Sequence, residues 1–318
     1  MEQVVTKLTE FAKDVLEGLS AVPKHIPSRY FYDEAGDKLF QKIMTLEEYY
    51  LTDAEFEILS TFGGEIVQKY LDETFYLVEL GAGDGLKTKL LLDEIFGSKR
   101  QFSYLPVDIS QHALDSLMAD LRNNYPDLKG HGITDDYFKA LKRINGVGKQ
   151  KVVMFLGSNI GNYTPDEAKE FLIELRNNLQ VNDILLIGID LKKDPEVIKR
   201  AYNDSEGVTR EFNLNLLRRI NRELGANFDI QNFEHLPVYD IDAGAAKSFL
   251  VSKEDQDVTI NSIATTFSFQ KNEKIGTEIS QKYSLEEIAS LTERTGFELQ
   301  SNYLDKRGYF VDSVWKAV

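Results

Sequence analysis

Cysteine is absent from the 318-residue chain, which removes disulfides, zinc–thiolate sites and thiol nucleophiles from consideration and leaves the redox compartment open. Basic residues are scarce: 37 Lys and Arg stand against 52 Asp and Glu, for a formal net charge of −15. Nucleic-acid binding rests on basic surface, and so does attraction to anionic lipid, so neither partner is expected. No apolar run approaches the length that crosses a bilayer. The opening stretch MEQVVTKLTEFAKDVLEGL has helical spacing of apolar residues with acids throughout. It lacks the basic start and apolar block of a secretory signal, and the expected location is the cytoplasm. His25, His112, His131 and His235 show no metal-ligand spacing, so no metal site is expected. A G-x-S-x-G nucleophile motif is missing too.

What is present is an ordinary globular composition, 42% hydrophobic and 28% charged, long enough for one large domain or two smaller ones. Between residues 75 and 190 the apolar runs FYLVEL, FSYLPVD, GHGIT, KVVMFLG and DILLIGID alternate with helix-like stretches at 87–96, 111–124 and 165–179. That alternation predicts right-handed crossovers and a parallel sheet covered on both faces, an α/β doubly wound fold. GHGIT is the weakest of the runs. Residues 1–62 read as helical around the aromatic-rich linker PSRYFYDEAG, and residues 200–285 as a helical start followed by antiparallel strands such as SFLVS. A helix and the strand pair FELQSNYLD and YFVDSVWKAV close the chain. The expected organisation is a sheet domain from 63–199 and 286–318, with a second α+β domain from 1–62 and 200–285.

The stretch VELGAGDGLKT follows the first strand and opens the first helix. Its spacing, Glu79, Gly81, Gly83, Gly85, is E-x-G-x-G-x-G, and such glycines allow a tight turn with ligand close to the backbone. A dinucleotide fingerprint, G-x-G-x-x-G, would need glycine where Leu86 stands. Asp108 ends the next strand, where a carboxylate holds ribose hydroxyls; it could equally cap the following helix. Asp136 and Tyr137 follow the third run, as an acceptor for an adenine amino group and a ring to cover its face. Taken in order, these residues read as an adenosine site on the carboxyl ends of neighbouring strands. The stretch FLGSNIGN, 155–162, ends another buried strand in two glycines and two asparagines. Asn159 and Asn162 either cap the helix near Pro165 or hold a ligand.

The glycine pattern with those acids resembles class I S-adenosylmethionine-dependent methyltransferases. That resemblance implies a Rossmann-like seven-stranded sheet ending in an antiparallel pair. SRYFYDEAGDKLFQKIMTLEEYYLTDAE, FLGSNIGNYTPDEA, DLKKD, AYNDSEGVTREFNLNLLRRINRELGANFD and KIGTEISQKYS sharpen the likeness. Together, and in order from about residue 30 to 283, they resemble the histidine Nα-methyltransferases of ergothioneine biosynthesis. The resemblance implies S-adenosylmethionine as cofactor, an amino-acid substrate, and no partner protein. It gives Tyr32 and Tyr49 the substrate carboxylate, Asn162 the α-amine, and Glu278 and Ser280 the imidazole. Asn162 and Tyr32 are then the catalytic candidates. Gly81, Gly83, Lys87, Asp108, Asp136 and Tyr137 match cofactor positions, and Phe40 an enclosing aromatic. Gly157 and Thr209 match residues near the methylated nitrogen.

The chain departs from the family at one wall of the amino-acid pocket. Where members carry Glu-Met, the stretch AKSFLVS supplies Lys247 and Ser248, after the glycine- and alanine-rich DIDAGAAK. A larger or more polar pocket is implied. L-Histidine, converted to its trimethyl betaine, is the expected acceptor; another aromatic amino acid or amine is the alternative.

Overall fold

Two apolar cores organise the chain. The structure, a computed structural model, describes residues 8–83, 85–109, 111–144 and 148–318. Contacts divide it into one unit of Met1–Tyr50 with Lys193–Ser280 and another of Leu51–Lys192 with Gln281–Val318. In chain order, α1 (Glu10–Ser20) and α2 (Glu34–Ile43) belong to the first unit, and α3 (Tyr50–Tyr70) opens the second. There follow β1 (Thr74–Leu80), α4 (Leu86–Gly97), β2 (Gln101–Asp108), α5 (Gln111–Asn124) and β3 (Ile133–Thr134). Then come α6 (Tyr137–Ile144), β4 (Gln150–Phe155), α7 (Pro165–Asn177) and β5 (Ile184–Asp190). The first unit resumes with α8 (Pro195–Ala201), α9 (Val208–Leu224), β6 (Phe233–Asp240), β7 (Ala245–Ser252), β8 (Gln256–Ile260), β9 (Thr265–Phe269) and β10 (Lys274–Gln281). The second ends with α10 (Leu285–Arg294), β11 (Phe297–Leu304) and β12 (Phe310–Ala317).

The second unit is a seven-stranded sheet in the order β11-β12-β5-β4-β1-β2-β3. Strands β1 to β5 pair in parallel, and β12 runs antiparallel to both β5 and β11. This is the class I methyltransferase architecture. All seven residues of β5, ILLIGID, are buried, as a parallel strand covered on both faces requires. Helix α7 starts at a capping box, Thr164 with Glu167, and has Pro165 in its first turn. GHGIT yields only the two residues of β3; upstream, Gly130 makes a single bridge to Tyr104. The division between units falls after Tyr50 and not at residue 62, because α3 carries Glu55 into the buried interior of the sheet unit. β1 lies between β2 and β4, so the chain's connections leave it in opposite directions. The crevice at the carboxyl ends of β1 and β4 is therefore the expected ligand edge.

The first unit is built on α9, which buries Val208, Phe212, Leu216, Ile220 and Leu224 at four-residue spacing. They share a core with Phe11, Val15 and Leu19 of α1, and with Phe31, Phe233 and Leu250. A three-stranded sheet, β10-β7-β6, and a hairpin, β8-β9, complete it. No helix among the described residues is long and apolar enough to cross a membrane.

Candidate active site

In the sheet unit the glycine turn after β1 draws the expected donor residues together. Gly81 has φ +73°, and a Cβ there would lie 3.0 Å from the Tyr137 hydroxyl and 3.5 Å from Asn159 Nδ2. Any side chain would be strained by that backbone and crowded against the two neighbours. Around Gly83 the space is open. Asp108 ends β2 opposite Thr134 of β3. Burial, then the charges of Asp108, Tyr163 and Asp136, hold the Tyr137 phenol well above its ordinary value, so it stays neutral. Asp136 Oδ1 accepts from the Phe138 and Lys139 amides at 3.0 and 3.4 Å, which caps α6. Ile109, 72% exposed beside Asp108, was not anticipated.

The motif acid turns inward. Glu79 accepts from Thr88 Oγ1 at 2.8 and 2.9 Å and from the Tyr104 hydroxyl at 2.5 Å. Burial pushes it up to about 7 against the pull of those bonds and of Lys87. Lys87, the second residue of α4, donates to Glu55 Oε2 at 2.5 Å. The Gly157 amide donates to the same carboxylate, at 2.8 and 3.0 Å. Glu55 had no distinguishing sequence signal. Asn162 is exposed and closes the 3-10 turn Asn159–Asn162. Neither asparagine caps α7, which uses Thr164, and Asn159 donates to the Leu156 carbonyl at 2.8 Å.

In the other unit the aromatic residues of PSRYFYD separate by burial. Tyr30 and Phe31 are core, whereas Tyr32 is 46% exposed. Tyr32, Phe40 and Tyr49 form an edge-to-face series, with centroids 5.5 Å apart from Tyr32 to Phe40 and 6.2 Å from Phe40 to Tyr49. Phe212 of α9 lies 5.8 Å from both Tyr32 and Phe40, and sequence reasoning missed it. Glu278 and Ser280 stand two apart on β10, hence on one face. Ser248 Oγ donates to Glu278 Oε2 at 2.9 Å, so the residue replacing the family's methionine supports the carboxylate. Lys247, of opposite parity on β7, pairs with Asp240 at 2.8 Å. The Tyr202 hydroxyl donates to Ser280 Oγ at 2.7 Å, a second missed residue. Asp204 takes the Val208 and Thr209 amides at 2.8 and 2.7 Å, which fixes the start of α9. The Thr209 side chain is buried there too, and its hydrogen bond with Asp204 helps to hold that carboxylate low. The described residues contain no cluster of His, Cys, Asp or Glu able to hold a metal.

The glycine turn at the strand-order reversal, the acid closing β2 and the neutral ring beside it fit an adenosyl donor; a close backbone, a polar acceptor and a flat cover are all present. Fold and site together are those of an S-adenosylmethionine-dependent methyltransferase. Residues 11–317 match the family model for SAM-dependent, histidine-specific methyltransferases, and the chain belongs to that family. It is 37% identical over 298 residues to histidine N-alpha-methyltransferase of Mycolicibacterium smegmatis, covering 94% of this chain and 92% of that protein. The Mycobacterium tuberculosis protein of the same name is 35% identical over 300 residues, with the same coverage of each. Ergothioneine biosynthesis protein 1 of Neurospora crassa is 33% identical over 287 residues, which are 88% of this chain and 32% of that longer one.

Proposed function

We propose that the protein methylates the α-amine of L-histidine stepwise to the trimethyl betaine. The observation that carries the acceptor is the face of β10, where a carboxylate, Glu278, and a hydroxyl, Ser280, stand two residues apart with Ser248 and Tyr202 bonded to them. An imidazole has two nitrogens to meet them: Glu278 accepts from one N–H, and Ser280 donates to or accepts from the other. A phenyl ring there would give the carboxylate no donor to add to Ser248, so the polar ring is favoured. Tyr32 and Tyr49 would hold the substrate carboxylate and Asn162 the α-amine, with the Thr209 hydroxyl close to the nitrogen.

S-adenosylmethionine supplies a methyl on sulfonium, a leaving group that needs no acid. What the chain must do is orient an unprotonated amine in line with that methyl, about 3–3.5 Å away. An amide does so without adding charge beside a product that becomes a fixed cation. Asp108, Asp136, Tyr137 and the backbone at Gly81, Gly83 and Gly157 would hold the donor, in the unit that carries the sheet. The first unit would bind the carboxylate and the side chain of the amino acid, and the cytoplasm is the location we assign.

A competition assay with histidine, tryptophan, tyrosine and phenylalanine, read by product mass, tests the acceptor and counts the methyls. Histidine should gain three. Glu278→Leu should cut histidine turnover by roughly 10⁴ and raise the relative rate on tryptophan or phenylalanine. Preference of the unaltered protein for tryptophan, or undiminished histidine turnover by Glu278→Leu, would refute the imidazole assignment.

A further inference from the structure

We propose that Glu55 is a positioning residue of the donor site. Its carboxylate ties the glycine turn after β1, through Lys87, to the turn after β4, through the Gly157 amide. In doing so it sets the spacing of the two backbone segments that would cradle S-adenosylmethionine. The proposal rests on the donor assignment and not on the identity of the acceptor.

Four observations converge on it. Glu55 is buried to 1% exposure, yet lies on α3, far in sequence from either turn. Its oxygens receive Lys87 Nζ at 2.5 Å and the Gly157 amide at 2.8 and 3.0 Å, so a single carboxylate spans both turns. The neighbouring strand makes room for it: Gly188 of β5 stands opposite Asp312 of β12, and a Cβ at 188 would lie 2.1 Å from Glu55 Oε1. Glycine inside a fully buried strand marks such a close approach. Finally, Asp312 is fully buried and shares a hydrogen bond with Glu55, so the carboxylate that spans the two turns is also held from β12. Burial, then the Glu55 charge, pushes its carboxyl well up, so Asp312 is held as the neutral acid beside the Glu55–Lys87 pair.

A buried ion pair is weak evidence for stability, because desolvation offsets most of the attraction. Geometry is the more economical explanation for keeping this one. Lys87 sits one residue past the start of α4, and Gly157 lies two residues past the end of β4. β1 and β4 are adjacent parallel strands, so a shift of either turn changes the width of the crevice at their carboxyl ends.

The test is calorimetric titration of the full chain with S-adenosylhomocysteine, alongside steady-state kinetics. Glu55→Gln keeps an acceptor for Gly157 but loses the pull on Lys87, and should weaken binding about 10-fold. Glu55→Ala loses both and should weaken it about 100-fold. KM for S-adenosylmethionine should rise in step, while kcat at saturating donor stays within about threefold. A lowered melting temperature with an unchanged dissociation constant would make Glu55 structural only and overturn the proposal. If neither variant folds, amide exchange of the unaltered protein decides: Gly157 should be protected before any donor is added, and exchange as fast as an exposed amide would overturn the tie. Failure of the unaltered protein to bind S-adenosylhomocysteine would instead bring down the donor assignment and this proposal with it.

Discussion

Asn162 stands three residues before a helix, and an asparagine there has two possible duties with different costs of loss. The capping duty belongs to its neighbour: Thr164 Oγ1 accepts from the Glu167 amide at 3.4 Å, and Glu167 returns a bond to the Thr164 amide at 2.8 Å. Thr164→Ala should therefore cost about 1 kcal/mol of stability and leave turnover intact. Asn162→Ala should do the reverse. Its exposed side chain contributes little to stability, so the melting temperature should hold, while misalignment of the amine lowers the methyl-transfer rate on the order of 10²-fold. S-adenosylhomocysteine affinity should be unchanged. Thermal unfolding and single-turnover kinetics on the two variants separate these outcomes, and full activity of Asn162→Ala would end the amine assignment.

At the scale of an element, the turn between β1 and α4 is the part most sensitive to a single carbon. Gly81→Ala sets a Cβ 3.0 Å from the Tyr137 hydroxyl on a backbone at φ +73°. Strain of about 1–3 kcal/mol is expected, and displacement of Tyr137 should weaken S-adenosylhomocysteine binding at least 10-fold. Unaltered affinity would show that Tyr137 does not cover the donor. This turn was legible in the sequence because all its signals are local: a run of buried residues, three alternating glycines and the helix they open. Helix α5 was legible at its full length, Gln111–Asn124, for the same reason. GHGIT misled because His131 and Gly132 break the pairing between the single bridge at Gly130 and the two residues of β3, Ile133–Thr134. What the sequence hid is contact across long chain separations. Glu55 meets Gly157 across 102 positions and Tyr202 meets Ser280 across 78, and no periodicity reports either. Phe212 was hidden differently: it reads as one more apolar position of α9, and only the fold shows its ring against Tyr32 and Phe40.

Over the whole molecule, the two units should respond to acid in opposite directions. In the unit built on α9, burial lowers His235 to about 4, so it is neutral when folded but protonates in the unfolded chain near 6.5. The unfolded state then binds more protons, and this unit loses stability as pH falls from about 6.5 toward 4. Asp33 and Asp204, both held low by hydrogen bonds against the opposing effect of burial, extend that loss at lower pH. The sheet unit behaves the other way. Glu79, raised to about 7 by burial, binds its proton more tightly folded than unfolded. Its contribution is fully present below about 4.5 and is lost as pH rises through 7. Each of the two displacements is worth on the order of 3 kcal/mol. Hydrogen exchange followed by mass spectrometry, corrected for intrinsic rates, reports the units separately. Between pH 7 and pH 5, peptides from α9 and β6 should lose protection while peptides from β1 and β4 gain it. His235→Gln should flatten the first trend alone and Glu79→Gln the second alone. Parallel loss of protection in both units, unmoved by either substitution, would mean that neither buried group governs the acid response.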